Sequence, residues 1–305
     1  MTTTTTEVSA ASADVGTDQI DPRVFDLYDE YCHTGMDRRT FLSRVSALGI
    51  AGGLAMATSL LPRYAEAAVI KFTDERMKAT YQTYPSPGGT SGEMRGYLAV
   101  PTGEGPFPAV VVIHENRGLN PYIEDVARRL AVEGFLAFAP DGLYPVGGYP
   151  GNDEDGKAMQ SALDKQALFT DLLNGADFVK SHPLSNGKLG ATGFCYGGGV
   201  VNAFAVEMGA RLNAGVPYYG SPAKSADVPN ISAPLMIQNA EDDPRINQGM
   251  PAYAEALTAA GIDFQMHTYP GTRHGFHNTS TPRFNEEQAN LAWARTLAFF
   301  RQHLA

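Results

Sequence analysis

The sequence predicts an α/β fold in which helices flank a mostly parallel central sheet that opens with hairpin strands. Residues 109–114 and 135–140 are short, almost continuously apolar runs, as in strands buried on both faces of a sheet. Residues 122–133 lie between the two runs and show apolar positions at helical spacing. Strands and helices continue to alternate beyond this unit, which is typical of parallel α/β sheets.

The individual elements were assigned from apolar periodicity and turn residues. Predicted strands cover residues 69–72, 79–84, 94–100, 109–114, 135–140, 188–192, 214–219, 235–240 and 264–269. Predicted helices cover residues 122–133, 157–181, 198–205, 248–260 and 284–304. Residues 141–155 are rich in glycine and proline and lack periodicity, so we expect a surface loop after a strand, where α/β sheets place their active sites.

Composition is that of a globular enzyme. The chain has 305 residues, of which 43% are hydrophobic and 18% charged, so it is long and apolar enough to bury a sizeable core. Its formal net charge of -10 argues against nucleic acid as a partner, because such polyanions need a positive surface. No repeat or change of composition occurs after residue 68, so we predict one catalytic domain over residues 68–305.

The first 67 residues read as an export signal and a disordered leader. Residues 1–20 are rich in threonine, serine and alanine, and residues 37–42 read D-R-R-T-F-L before an apolar stretch that runs from Val45 to Leu61. Such an arginine pair is typical of the twin-arginine pathway, and A-E-A at residues 65–67 predicts cleavage near Ala67. We expect a periplasmic or secreted protein that engages the export machinery. The alternative is an amphipathic or membrane-anchoring helix that tethers an uncleaved chain.

Cysteine usage agrees with export. The chain has two cysteines, and cleavage near Ala67 would remove Cys32 and leave Cys195 as the single thiol. A lone thiol in an oxidising compartment is a liability unless the protein uses it. The cysteines and histidines do not show metal-ligand spacing, and we expect neither a metal nor an organic cofactor.

Cys195 occupies the motif around which the rest of the site is predicted. Residues 193–197 read G-F-C-Y-G and lie between a predicted strand and a predicted helix. Small flanking residues permit a strained turn that lifts the central side chain above the sheet edge, and a helix N-terminus favours the thiolate. The pattern therefore indicates a nucleophile. The alternative is a structural cysteine buried in a glycine-rich turn.

A base and an acid follow at the ends of later strands. His274 lies in the loop after the last predicted strand, and two carboxylates, Asp242 and Asp243, follow the strand before it. A cysteine nucleophile needs a base, and the base needs an acid to orient it. The order Cys, Asp, His is that of α/β-hydrolases. We favour Asp243 as the acid, with Asp242 a solvated neighbour, while His274 as a plain turn histidine is the alternative.

These motifs together resemble the dienelactone hydrolase family of α/β-hydrolases over about residues 70–305. The match rests on H-E-N-R-G at residues 114–118, G-F-C-Y-G-G at residues 193–198, H-G-F at residues 274–276 and Asp243. The resemblance implies the α/β-hydrolase fold and the hydrolysis of a small ester or lactone through a thioacyl-enzyme. Two other functions stay open: a thioesterase or acyltransferase with the same triad, and a ligand-binding homologue without turnover.

The resemblance also implies roles for residues outside the triad. Glu115 would lie near the thiol and help to form the thiolate, and the backbone amides of Asn116 and Tyr196 would form the oxyanion hole. By position alone, Glu115 is either a surface residue at a strand end or a buried carboxyl with a raised pKa. Arg117 would pair with Glu115 or with a substrate carboxylate. The candidate substrate-binding residues are Arg117, Tyr144 and Arg273.

Overall fold

The chain divides between Pro62 and Arg63 into two units, which are described separately. The structure, a computed structural model, describes residues 20–34, 36–61 and 64–305. Residues 1–19, which include most of the segment expected to be disordered, lie outside the described residues.

The described residues of the first unit form three helices, α1 (Pro22–His33), α2 (Arg38–Ala47) and α3 (Gly53–Ser59). Aspartates cap the first two: Asp21 accepts a hydrogen bond from the Arg23 amide, and Asp37 accepts one of 2.7 Å from the Thr40 amide. Apolar side chains of the three helices bury one another in a small core. Its buried members are Ile20, Val24, Phe25, Tyr28, Tyr31, Cys32, Phe41, Val45, Ala57 and Leu60.

The segment expected to form the export signal contains helices α2 and α3. The apolar residues between Ile20 and Val45 recur at helical spacing, and that pattern was obscured by the polar composition of the first residues. The predicted arginine pair opens α2, directly after its cap. Within the described part of the chain, no helix is both long and apolar enough to cross a membrane. Export and cleavage stay predictions.

Among the described residues of the second unit, eight strands form one sheet, in the order β1-β2-β4-β3-β5-β6-β7-β8. The strands are β1 (Met77–Ser86), β2 (Gly92–Pro101), β3 (Phe107–Ile113), β4 (Leu136–Pro140), β5 (Ser185–Phe194), β6 (Ala214–Tyr218), β7 (Leu235–Asp242) and β8 (Phe264–Arg273). Pairing is antiparallel from β1 to β2 and from β2 to β4, and parallel between all other neighbours. The predicted fold, with its opening hairpin and parallel remainder, is confirmed.

Helices cover both faces of this sheet. They are α4 (Tyr64–Ala67), α5 (Pro121–Val132), α6 (Asp153–Ala162), α7 (Lys165–Lys180), α8 (Tyr196–Met208), α9 (Pro244–Asn247), α10 (Met250–Ala259) and α11 (Glu286–Leu304). Alternate residues of β3 show the two layers, because Val110 and Val112 pack with α5 and α11, whereas Val111 and Ile113 pack with α7 and α8. A strand between two apolar layers is continuously apolar, as β3 is.

Two predicted elements were wrong. Residues 69–72 form turns instead of a strand, with Val69 and Phe72 exposed and the Ile70 amide bound to the Asp125 side chain. The predicted helix over residues 157–181 is two helices, α6 and α7, because Asp164 caps a new helix by accepting a 2.8 Å hydrogen bond from the Ala167 amide.

Asp171 of α7 ties the turn between β1 and β2 to the body of the sheet. Its carboxylate accepts hydrogen bonds from the Ser86 hydroxyl at 2.5 Å, the Thr90 amide at 3.0 Å and the Thr90 hydroxyl at 2.5 Å. A Cβ atom at Gly89 would lie 1.8 Å from the same carboxylate, so the turn requires glycine there. Asp171 is fully buried. A buried carboxylate is tolerated only when hydrogen bonds replace its hydration, as they do here.

We predict that Asp171→Ala lowers the free energy of unfolding by about 1–3 kcal/mol, because it removes the acceptor of three donors, the buried Ser86 hydroxyl and the amide and hydroxyl of Thr90. Asp177→Ala is the matched control on the same helix. Asp177 pairs with Arg211 at 2.6 Å, but both side chains are roughly half exposed, so its loss costs no more than about 1 kcal/mol. Urea denaturation of both variants measures the difference. Equal losses would contradict the assigned role of Asp171.

Candidate active site

Cys195 lies in a strained turn between β5 and α8. Its backbone adopts φ 56° and ψ −113°, a positive φ that is uncommon for a residue with a side chain. The turn closes only because its neighbours lack side chains: a Cβ atom at Gly193 would lie 2.4 Å from the Gly197 oxygen, and one at Gly197 would lie 2.3 Å from the Ile113 oxygen. The Cys195 backbone amide donates to the backbone carbonyl oxygen of Tyr218, in β6, at 3.1 Å. The predicted elbow geometry is present.

His274 and Asp243 meet at the ends of β8 and β7. Asp243 Oδ2 lies 2.5 Å from His274 Nδ1, and both side chains are buried. Asp243 also caps α9, accepting from the Ile246 amide at 3.3 Å, so its carboxylate is fixed from two directions. A carboxylate this close accepts the Nδ1 proton, which leaves Nε2 of the neutral ring as a proton acceptor. Arg245 reaches the same Nδ1 at a longer 3.3 Å.

Asp242 points away from this pair. Its carboxylate lies 3.0 Å from the Arg273 guanidinium, and the two side chains are 55% and 33% exposed. Of the two candidate acids, Asp243 contacts the histidine and Asp242 forms an outer ion pair, while the role of Asp243 as the acid stays a prediction. Arg273, a candidate substrate-binding residue, is engaged in that outer pair.

Glu115 is buried, with an exposed fraction of 2%. Of the two interpretations of its position, the buried carboxyl is therefore the one observed. It follows β3, and its Oε2 accepts a 3.0 Å hydrogen bond from the Asn278 amide group. Asn278 is itself held, because its side-chain oxygen accepts from the Ser280 amide at 3.0 Å and from the Ser280 hydroxyl at 2.6 Å. Asn278 is thus a positioning residue that sequence reasoning did not identify.

The electrostatic surroundings of Glu115 are mixed. Burial raises the pKa of the Glu115 carboxyl, since an apolar environment disfavours its charged form. The Arg117 guanidinium opposes this rise in pKa, the negative charge of a Cys195 thiolate adds to it, and Arg283 again opposes it. A buried carboxyl with a raised pKa is a candidate proton acceptor.

His114 joins the loops that follow β3 and β4. Its Nδ1 donates to the backbone carbonyl oxygen of Glu115 at 2.6 Å, and its Nε2 accepts from the Gly142 backbone amide at 3.2 Å. Burial lowers the pKa of His114, which keeps the ring neutral with one donor and one acceptor, as both bonds require. The sequence analysis gave His114 no role of its own.

The loop after Glu115 is anchored to α6. Arg117 pairs with Asp153 at 2.6 Å and donates from Nε to the Asn116 side-chain oxygen at 3.3 Å. The Gly118 amide donates to the Gln160 side chain at 2.8 Å. Arg117 is buried and pairs here with Asp153, a partner that the sequence analysis did not consider.

Tyr196 and Tyr144 border the same region. Tyr196 is the first residue of α8, so its amide points out of the helix N-terminus beside Cys195, and its ring stacks on His114 at 6.3 Å. Tyr144 begins a short 3-10 turn after β4, with the Arg95 guanidinium 5.1 Å above its ring. These positions agree with the predicted neighbourhood, and their roles stay predictions.

Two further residues reach the site from places that sequence patterns do not mark. Tyr219 follows β6 with φ 37°, and its buried ring lies 4.9 Å from the His274 ring. Arg283 is buried, and its guanidinium lies 3.0 Å from where a Cβ atom at Gly275 would stand. Tyr219 reaches the site through its positive φ, and Arg283 through a loop that folds back towards Gly275. Both features depend on tertiary structure, so the sequence did not mark either residue as part of the site.

The sheet order and the strained turn at Cys195, with an aspartate and a histidine at later strand ends, define an α/β-hydrolase fold. The model of the dienelactone hydrolase family matches residues 94–304, and the chain belongs to that family. A second model, described as YqhI-like, matches residues 16–49.

Individual relatives agree with this family membership. The chain is 30% identical over 270 residues to an Escherichia coli protein named "Putative carboxymethylenebutenolidase", covering 81% of this chain and 98% of the relative. It is 35% identical over 222 residues to Protein usf of Aquifex pyrophilus, covering 70% and 94%. A crystal structure of a "Putative Dienelactone Hydrolase" from Klebsiella pneumoniae superposes with a TM-score of 0.64 at 28% identity, covering 73% and 99%. The protein is a hydrolase of the ester or lactone type.

We predict that Glu115→Gln stabilises the protein relative to wild type as pH rises. Because the folded-state pKa of Glu115 is raised, its contribution to stability is fully present below the pKa of an unfolded glutamate, about 4.3, and is lost as pH rises through the folded-state pKa. Glutamine keeps the acceptor for Asn278 without the charge. The two stability curves should separate by at most about 1.4 kcal/mol per pH unit above about pH 4.3.

Thermal or urea unfolding from about pH 4 to pH 8 measures this separation. Glu255→Gln is the control, since Glu255 is exposed on α10. Parallel curves for wild type and Glu115→Gln would contradict the account of Glu115.

Proposed function

We propose that the protein cleaves a carboxylic ester or lactone through a thioacyl-enzyme, with Cys195 as nucleophile, His274 as base and Asp243 as the orienting acid. The observation that supports this most directly is the buried 2.5 Å contact between His274 Nδ1 and Asp243 Oδ2. That contact fixes the tautomer in which Nε2 accepts a proton. Cys195 supplies the nucleophile from a turn that presents it at the same edge of the sheet.

In this mechanism His274 Nε2 accepts the thiol proton, and the thiolate attacks the carbonyl carbon of the substrate. The backbone amides of Asn116 and Tyr196 donate to the oxygen that becomes negative in the tetrahedral intermediate. The intermediate collapses as the alcohol leaves with the proton held by His274. A water molecule, deprotonated by His274, then attacks the thioester and releases the acid.

Glu115 is assigned a part in forming the thiolate. Burial raises its pKa, so it binds a proton more strongly than an exposed glutamate does, and the Asn278 bond keeps the carboxyl in one orientation. The named relatives direct the choice of first substrates, since a carboxymethylenebutenolidase acts on a lactone. Small lactones and short chromogenic esters are therefore the compounds to test.

We also propose that the chain is exported by the twin-arginine pathway, with cleavage near Ala67. Support comes from the sequence motif and from its position, because Arg38 and Arg39 open α2 directly after the Asp37 cap. In a periplasmic or secreted enzyme the remaining thiol would be Cys195.

Three substitutions test the proposed triad. Cys195→Ala should abolish esterase activity, since it removes the nucleophile. Asp243→Asn should lower kcat by at least about a hundredfold because it disturbs the histidine tautomer, whereas Asp242→Asn, which affects only the outer ion pair, should keep most activity. Steady-state hydrolysis of a chromogenic ester measures all three. A fully active Cys195→Ala, or the reverse ranking of the two aspartates, would refute the assignment.

A further inference from the structure

Residues 64–70, here called the strap, lead into the sheet and are held at both ends against α5. At the far end, the Ile70 amide donates to the Asp125 carboxylate at 2.8 Å, and the Ile70 oxygen accepts from Arg128 Nε at 2.8 Å. At the near end, the Tyr64 hydroxyl accepts from the side chain of Asn120, the residue that caps α5, at 2.7 Å. The strap is thus a fixed part of the second unit.

The Tyr64 hydroxyl also donates to Asp153 Oδ1 at 2.7 Å. Tyr149 donates to the same oxygen at 2.9 Å, and the Tyr64 and Tyr149 rings meet edge to face. Burial, with the Asp153 charge next in effect, raises the pKa of Tyr64 well above the usual tyrosine value, so its hydroxyl keeps the proton that it donates.

Asp153 also contacts the loop that carries Asn116 and Arg117. Its other oxygen, Oδ2, binds the Arg117 guanidinium at 2.6 Å, and Arg117 Nε donates to the Asn116 side chain at 3.3 Å. A continuous series of hydrogen bonds therefore joins Tyr64 to the residue whose amide is assigned to the oxyanion hole. Hydrogen bonds to both oxygens fix the Asp153 carboxylate, and its charged bond to Arg117 in turn orients the guanidinium.

We propose that Tyr64 is a positioning residue of the active site, which acts through Asp153 and Arg117 on the oxyanion loop at Asn116. This inference rests on the proposed role of Asn116. The predicted cleavage site at residues 65–67 lies within the strap, between its two anchors. Cleavage there separates Tyr64 from the catalytic domain, so the chain with its leader and the processed chain differ in turnover. Tyr64 then supports turnover only in the unprocessed enzyme.

The test compares Tyr64→Phe with wild type in the full chain. The substitution removes one hydroxyl and keeps the ring, so we expect kcat to fall roughly three- to tenfold, less than the loss of a whole oxyanion donor, with KM unchanged. The rate of Cys195 alkylation by iodoacetamide should stay as in wild type. Activities are expressed per alkylatable Cys195, so a poorly folded fraction does not enter the comparison. Tyr84→Phe is the matched control. It loses a buried hydrogen bond from the Tyr84 hydroxyl to the backbone oxygen of Asp171, and it should keep the wild-type kcat.

Asp153→Asn supplies the second arm. If Tyr64 acts through Asp153, the double variant should be about as slow as the slower single variant, whereas independent effects would multiply. A Tyr64→Phe kcat within about twofold of wild type, or multiplying effects, overturns the inference. If Cys195→Ala is inactive in the same assay while Tyr64→Phe is unchanged, only the strap proposal fails. A wild-type enzyme no faster than Cys195→Ala would refute the proposed function instead.

Discussion

The backbone turn at Cys195 is the constraint on which the rest of the active site depends. Its positive φ is held by the close approach of Gly197 to the end of β3 and by the bond from the Cys195 amide to β6. The same turn starts α8 and thereby sets the direction of the Tyr196 amide. Strain of this kind persists only when surrounding structure determines it, and here both neighbouring strands of the parallel sheet do so.

Around this turn the protein buries an unusual density of ionisable groups. Glu115, Asp243 and His274 are all at most 3% exposed, and each has a side-chain partner that fixes its orientation. Such burial opposes stability, because a charged carboxylate loses its hydration. It also fixes proton positions, which general acid–base chemistry requires. The raised pKa of Glu115 therefore means that ionising this carboxyl lowers the free energy of unfolding, at a position suited to function.

The core strands of the sheet were predictable because the residues that mark them are close together in the sequence. Continuous apolar runs identified β3 and β4, and the glycines on both sides of Cys195 marked the turn. Strand ends at one edge of a parallel sheet meet, which brought Asp243 and His274 together by topology alone. The choice between Asp242 and Asp243 depended on register, and Asp243 is the one of the two that contacts His274.

What was not predictable depends on contacts between distant segments. The strand expected at residues 69–72 is absent because Asp125 and Arg128 take the backbone bonds of Ile70. Arg283 and Tyr219 reach the site through a returning loop and a positive φ, neither of which has a periodic signature.

In the proposed mechanism, acyl transfer passes through the sulfur of Cys195. Acid-quenched turnover of a short ester, followed by intact-mass and peptide mass spectrometry, tests it most directly. The account predicts a single added acyl group on the peptide that contains Cys195, released by hydroxylamine and absent from Cys195→Ala. An active enzyme whose acyl group is found on another residue, or which turns over fully with Cys195 alkylated, would contradict it.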